Sequence, residues 1–483
     1  MGQFFTKTDF NQADYEAFAS RLQSQLIQLK SEIELQKSAT PISSKVTLGA
    51  ELEVYLVDRK FAPLPINQAL LDKLNNPLLQ TELNQYNLEF NLLPVDAAGT
   101  PFHEMDTQLK TTLDSLASAM HEYEGQVVPI GILPTLSEQY LNKRFMTDLP
   151  RYHVLAKQLS SLKGSEFQIN INGEEQLVTS SNQVTLEGAN TSFQFHLKTD
   201  VNQFKNLFNA AQLVTPLVTA IAANSPVLLG KKLWHETRVA LFKQAIDSRC
   251  EQPLNWRQPA RVTYGQGWVR EGPWELFAEN VSIFKPIIPL IGESPYSELC
   301  LHHGTVWNWN RAVFAPEPDS HFRIEFRSLP SGPTITDMLA NAALLVGLTI
   351  AMSKQASDYI ARLPFKYAEY NFYRSAQYGL NANLIWPELG QNELQEQPAL
   401  SILEKLLPDA AQGLKEIGID EEESSFYLEV IRQRIKNKQN GATWQLQKLQ
   451  SYESKYDRDG ALAAMLSDYA EGFRSGKPVA EWD

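Results

Sequence analysis

The sequence predicts an α+β fold, and three textures along the chain predict it. Residues 9–38 repeat apolar side chains every three or four positions; from Val46 to about Ser328 short alternating runs are broken by Pro, Gly and Asn turns; beyond Leu363 helical spacing returns. In the first segment Tyr15, Phe18, Leu22, Leu26, Leu29 and Ile33 share one helical face, and Ser38-Ala39-Thr40-Pro41 stops it. Residues 1–44 are therefore read as a helix packing on something larger. The core, 45–360, interleaves three helices with its strands, at 104–124, 201–223 and 334–353, and Thr334 after Gly332 and Pro333 is placed to cap the last of them. ILEKLL at 402–407, FYLEVIRQRI at 426–435 and ALAAMLSDYAEGF at 461–473 make 361–483 a helical region docked on that core. There is no internal repeat and no long linker.

Composition narrows the function. With 483 residues, 43% hydrophobic and 20% charged, the chain is long enough to bury a sizeable core and is neither disordered nor low-complexity. Its net charge of −13 repels a polyphosphate backbone, so small-molecule partners are expected and nucleic acid is not. Two cysteines, Cys250 and Cys300, build no disulfide scaffold, the start shows no secretory signal, and the apolar stretches 213–223 and 338–352 fall short of a membrane span. A cytoplasmic protein is expected, off the membrane, with a homodimer left open.

One pattern recurs in four distant strands. In Glu51-Leu52-Glu53-Val54-Tyr55-Leu56, Glu51, Glu53 and Tyr55 share a face opposite three aliphatic residues. Asn87, Glu89 and Asn91 do the same against Leu88, Phe90 and Leu92; Ser192, Gln194 and His196 against Phe193, Phe195 and Leu197; and Arg323, Glu325 and Arg327 against Phe322, Ile324 and Phe326. An antiparallel sheet with one wet face would alternate in the same way. These four faces hold Glu, Asn, Gln, His and Arg and no Lys, which favours a polar concave site.

Carboxylates at i and i+2 lie about 6.6–7 Å apart along a strand, so without cations they repel and with them they can share hard ions. Glu51, Glu53, Glu89 and Glu325 thus resemble a cradle for Mg²⁺ and a metal-bound nucleotide, with His196 a further ligand or an orienter of a carboxylate. Arg323 and Arg327 can neutralise a phosphoryl group or grip a carboxylate. Gln194 and Asn87 on these faces, and Arg311 and Trp309 just before the last strand, are substrate-binding candidates. No GxxxxGK[ST] loop, GxSxG elbow, HExxH or CxxC occurs, which removes the simplest readings as a P-loop NTPase, serine hydrolase, zinc protease or thiol redox enzyme.

GAELE at 49–53, NLEFN at 87–91, Arg151-Tyr152, TSFQFH at 191–196, ANSPVLLG at 223–230 with ETR at 236–238, and RIEFR at 323–327 resemble, in order, the glutamate–cysteine ligases of plant and proteobacterial type and the related bacterial carboxylate–amine ligases. The resemblance covers roughly residues 45–350. It implies a glutamine-synthetase-like core with a curved antiparallel half-barrel backed by helices, and ATP-dependent amide formation through an acyl phosphate. It further implies that Glu51, Glu53, Glu89, His196 and Glu325 hold Mg²⁺ and the phosphates of ATP, that Arg238 binds the carboxylate substrate and that Arg327 faces the transferring phosphoryl group. Glutamate and cysteine are the first candidate substrates, in a role in glutathione biosynthesis.

The chain departs from the pattern after Ile132, where LPTLSEQY lacks a His-Pro element, so the amine stays open; other amines, a phosphotransferase of the same sheet architecture and an inactive nucleotide- or amino-acid-binding relative are the alternatives. In LHHGTVWNWNR at 301–311, His302, His303, Trp307, Trp309 and Arg311 read equally as a substrate pocket or as structure. Lys231 and Lys232 read as solvated charges, and Cys250 and Cys300 as thiols without chemistry.

Overall fold

The structure, a computed structural model, describes residues 7–38, 46–250, 258–317, 319–388, 390 and 393–483. Eight strands form one sheet: β1 (Thr47–Asp58), β2 (Leu79–Thr81), β3 (Asn87–Asn91), β4 (Val95–Asp96), β5 (Gly125–Val128), β6 (Phe193–Thr199), β7 (Asn310–Ala315) and β8 (His321–Phe326). Their order is β7-β8-β6-β1-β3-β2, with β4 and β5 paired to the two ends of β1. Every pairing in the sheet is antiparallel, and it curls into the half-barrel that the motifs imply.

The helices that frame it are α1 (Gln12–Ser38), α2 (Pro101–Met120), α3 (Phe204–Ala222), α4 (Thr237–Ala245), α5 (Ile335–Ser353), α6 (Ala399–Glu416), α7 (Glu421–Asn437), α8 (Gly441–Glu453) and α9 (Arg458–Ser475). In α1, Phe18, Leu22, Leu26, Leu29 and Ile33 are buried as the spacing predicts; Ser38 is its last residue, and Ala39, Thr40 and Pro41 of the predicted stop lie outside the described residues. The helix predicted at 104–124 begins instead at Pro101, because proline's fixed φ suits a first turn whose N–H needs no partner, and it gives way to a 3₁₀ turn at His121–Tyr123. Thr334 does cap α5: its Oγ1 accepts the Asp337 N–H at 3.1 Å. Beyond residue 361 the helices α6, α7 and α9 contain the three predicted runs, and a hairpin of Asn383–Trp386 with Gln395–Pro398 is an addition that the helical texture hid.

Alternation decides which face of the sheet is dry. Leu52, Val54, Leu88, Phe193, Phe195, Leu197, Phe322, Ile324 and Phe326 are each 2% exposed or less. Phe322 meets Phe204 of α3 edge-on at a centroid distance of 6.0 Å, so the buried helices α3 and α5 lie behind that face. By length and composition α5 could cross a membrane, yet 78% of its apolar window is enclosed by protein. Lys231 is exposed, whereas Lys232 is not the solvated charge expected: it is 9% exposed because folding sets it 3.0 Å from Glu453 of α8.

Candidate active site

Sheet register assembles the polar face. Glu53 lies opposite Glu89, and Glu51 lies between Asn91 and Gln194. Glu325 lies between His196 and Arg311, while the other neighbour of His196 is Gly49, which has no side chain to fill the concavity. Residues as distant in the sequence as Glu51 and Glu325 thereby share one surface.

Two acidic clusters stand out. Ligand atoms of Glu53, Glu82 and Glu89 lie within 4.8 Å of one another, and so do those of Glu51, His196 and Glu325. In the first cluster burial dominates: it raises Glu53 against the pull of Arg238 and Arg327, and with the charges of Glu51 and Glu53 it pushes Glu89 up to about 7. Glu82 rises well above the ordinary range for the same reasons, with Glu89, Glu53 and Glu187 as its repelling neighbours. With both carboxyls pushed up and their oxygens within 4.8 Å of each other, Glu82 and Glu89 favour holding a proton between them. Acidic oxygens this close are a donor set for a hard divalent cation, which would replace that proton and relieve the repulsion. The glutamates also have fixed orientations: Glu53 accepts from Ser192 N at 2.7 Å and Gln194 Nε2 at 2.9 Å, and Glu89 from Asn91 Nδ2 at 2.9 Å.

The second cluster is already charge-paired. Arg311 bonds both oxygens of Glu325, with Nη2 at 3.0 Å from Oε1, and Arg327 Nη1 donates to the same Oε1 at 2.9 Å. Burial alone would raise the Glu325 carboxyl, but the two arginines and His196 drive it far below the usual range. Arg323 Nε donates to His196 Nδ1 at 3.1 Å, and His196 Nε2 lies 3.3 Å from Glu51 Oε1. Burial, the largest influence on the Glu51 carboxyl, pushes it up, and the neighbouring His196 helps to bring it down, so that its net direction is down. Arg327 also donates to Gln194 Oε1, so Gln194, 3% exposed, bridges Arg327 and Glu53.

Arg238 opens α4 and is 3% exposed. Its Nη1 donates to Glu236 Oε1 at 3.1 Å and to Ser328 O at 3.2 Å, while Nε has no partner. The remaining candidates divide. Asn87 is 1% exposed, donates to Val54 O at 3.4 Å and leaves Oδ1 unbonded. Trp309 is 2% exposed, its ring 5.8 Å from Phe242 and 5.4 Å from Phe372, with its indole N–H unbonded. For the histidine pair the structural reading wins. His303 bonds Asn280 Nδ2 at 2.8 Å and Ala312 O at 2.7 Å and stacks on Phe277 at 4.0 Å, and His302 Nε2 meets Asn280 O at 3.1 Å. Burial holds them neutral, His302 at about 4 and His303 at about 3.

Two glutamates escaped the sequence reading. Glu82 follows the three-residue β2, too short to show alternation, and Glu187 sits in the 3₁₀ turn Val184–Ala189. Burial and the facing Glu53 push Glu187 up to about 7, eased by Arg327. A cavity of about 310 Å³ lies away from this face, lined by Trp234, Lys243, Asp247, Arg249 and Tyr373 among others, and contains none of the acidic residues above.

A sequence model of the glutamate–cysteine ligase family 2 matches residues 47–467. A relative from Trichormus variabilis, provisionally named glutamate–cysteine ligase 2, is 22% identical over 442 residues, covering 88% of this chain and 93% of its own. The solved glutamate–cysteine ligase of Francisella tularensis, in complex with AMP, matches with a TM-score of 0.50 and 11% identity over 89% of each chain, which shows a shared fold. A bifunctional glutathione synthetase from Pasteurella multocida gives a TM-score of 0.46 and 12% identity over 93% of this chain and 55% of its own. Because the family match runs from the first strand of the acidic sheet into its last long helix, the chain belongs to glutamate–cysteine ligase family 2 and is an ATP-dependent carboxylate–amine ligase.

Proposed function

We propose that the protein uses MgATP to join the γ-carboxylate of glutamate to an amine, cysteine first, through an acyl phosphate. The observation that supports this most is the convergence of Glu53, Glu82 and Glu89 from separate segments to within 4.8 Å, beside two arginines. In the reaction a carboxylate oxygen attacks the γ-phosphorus and ADP departs. The amine nitrogen then attacks the acyl carbon, its proton passes to the departing phosphate, and the amide forms. The chain's part is positioning and charge neutralisation, which phosphoryl transfer mainly requires.

Glu53, Glu82 and Glu89 would hold one Mg²⁺, and Glu51 and Glu325, with His196 behind Glu51, a second. The bound cations would neutralise phosphate charge. Arg327, held by Glu325 and Gln194, faces the transferring phosphoryl group, and Arg323, whose Nε is committed to His196, has its terminal nitrogens for the nucleotide. Arg238 presents its unbonded Nε edge to the substrate carboxylate, with Arg311, Trp309 and Asn87 lining the pocket. The partners are small molecules, and the two cysteines, neither in a disulfide, suit a reducing cytoplasm.

ADP release on mixing the protein with MgATP, glutamate and a panel of amines tests this. Amine-dependent release with an amide product is the expected result. Folded protein that turns over with no amine, or that accumulates a phosphorylated product without one, refutes it.

A further inference from the structure

We infer that Tyr469 of α9 and Gln445 of α8 are positioning residues for the Arg238 guanidinium, acting through Asn224. The inference rests on the proposed role of Arg238 in holding the carboxylate substrate. Asn224, just after α3, faces Arg238 through its backbone and through the next residue. Its N–H donates to Glu236 Oε2 at 2.9 Å, and Ser225 Oγ donates to Glu236 Oε1 at 2.8 Å. That same Oε1 receives Arg238 Nη1 at 3.1 Å, so Asn224 and Ser225 set the carboxylate that orients the guanidinium.

The side chain of Asn224 faces the other way and is held from the C-terminal helices. Its Nδ2 donates to the Tyr469 hydroxyl and to Ser331 O, both at 2.8 Å, and its Oδ1 accepts from Gln445 Nε2 at 2.8 Å. The Tyr469 hydroxyl also donates to Pro129 O at 2.8 Å. Two residues on, Gly131 lies against Arg238 so closely that a Cβ there would stand 3.0 Å from Arg238 Cδ. One hydroxyl therefore ties both walls of the Arg238 slot. A Cβ at Gly441, the first residue of α8, would come within 2.0 Å of Asn224 Oδ1, so the helix approaches this amide as near as backbone can. Ser331, the other partner of Asn224, donates from Oγ to Glu53 O at 2.7 Å, which ties the node to the acidic strand as well.

Asn224, Ser225, Glu236, Gln445 and Tyr469 are all 0% exposed. Polar groups that deep add less stability than apolar packing would, and a connected set of them fixes one arrangement. The arrangement fixed here is that of an arginine with few other anchors, the carbonyls of Ser328 and Arg327 at 3.2 and 3.4 Å.

Tyr469→Phe keeps the ring beside Trp444 and Trp482 and deletes only the hydroxyl. The expected result is a KM for the carboxylate substrate raised roughly fivefold to tenfold, the range for a lost buried hydrogen bond, with KM for ATP changed by less than about twofold. In an Arg238→Lys background Tyr469→Phe adds no further rise, since the group it positions is gone. Gln445→Met gives the same selective rise and carries the test if Tyr469→Phe does not fold. Unchanged KM values, an equal rise for carboxylate and ATP, or an additive effect in the Arg238→Lys background overturns the inference. If wild-type protein turns over no carboxylate, the proposed function falls by itself, and crystal structures of wild type and Tyr469→Phe decide this claim: an Arg238 moved off Glu236 and Ser328 supports it, and an unmoved one overturns it.

Discussion

Glu89→Gln should make the metal-free protein more stable at pH 8 while removing its stabilisation by Mg²⁺. The Glu89 carboxyl lies at about 7, against about 4.3 for a free glutamate, because it is buried and faces the charges of Glu51 and Glu53. Between those values the native state keeps a proton that the unfolded chain has released. Wild-type stability therefore falls as pH rises from about 4.5 to about 7, and the loss is complete above that. At about 1.4 kcal/mol per tenfold change in proton affinity, ionising Glu89 costs about 3–4 kcal/mol at pH 8. Glutamine never ionises, and its amide oxygen can still accept from Asn91 Nδ2, which bonds Glu89 at 2.9 Å. For a chain this long about 1 kcal/mol corresponds to about 1 °C in Tm, so denaturant titrations at pH 4.5 and pH 8 are the better assay, with thermal scans beside them. The expected results are a gain of about 3–4 kcal/mol at pH 8 and almost none at pH 4.5, and stabilisation by millimolar Mg²⁺ in wild type only. A variant less stable than wild type at pH 8, or one that Mg²⁺ stabilises equally, would show that these carboxylates do not repel one another and do not share a cation.

Other expectations bear on separate parts of the site. Glu53→Gln should lower turnover at least about 100-fold with far-UV circular dichroism unchanged, because it removes a cation donor while the amide oxygen can still accept from Ser192 N. Arg238→Lys should raise KM for the carboxylate substrate by about 10-fold to 100-fold and leave KM for ATP nearly as it was, as steady-state kinetics will show. His303→Ala should cost about 2–4 kcal/mol in denaturation, through the lost Phe277 stack and two buried hydrogen bonds, with turnover per folded molecule unchanged. Loss of activity without loss of stability in His303→Ala would instead place that histidine in the substrate pocket.

The faces of the strands could be read locally. Alternation has a period of two residues, so Glu51, Glu53, Glu89, Gln194, His196 and Glu325 could be assigned to inward faces without knowing which strands neighbour one another. The family motifs are likewise contiguous strings, and they carried both the half-barrel and the ligase class. Glu82 and Glu187 were missed because a three-residue strand and a 3₁₀ turn have no period to read. The histidine pair stayed ambiguous because the groups that hold those rings, Phe277, Asn280 and Ala312, are brought together only by folding.

The sequence by itself determined which side chains each strand turns inward, since a covalent period fixes that for every strand separately. Only the tertiary structure decided how they pair: that Glu53 meets Glu82 and Glu89, that Arg311 and Arg327 claim Glu325, and that Tyr469 reaches the node behind Arg238. Those pairings depend on strand register and helix docking across tens to hundreds of residues, and they arise when apolar faces exclude water and bring distant polar groups within a few ångströms of each other.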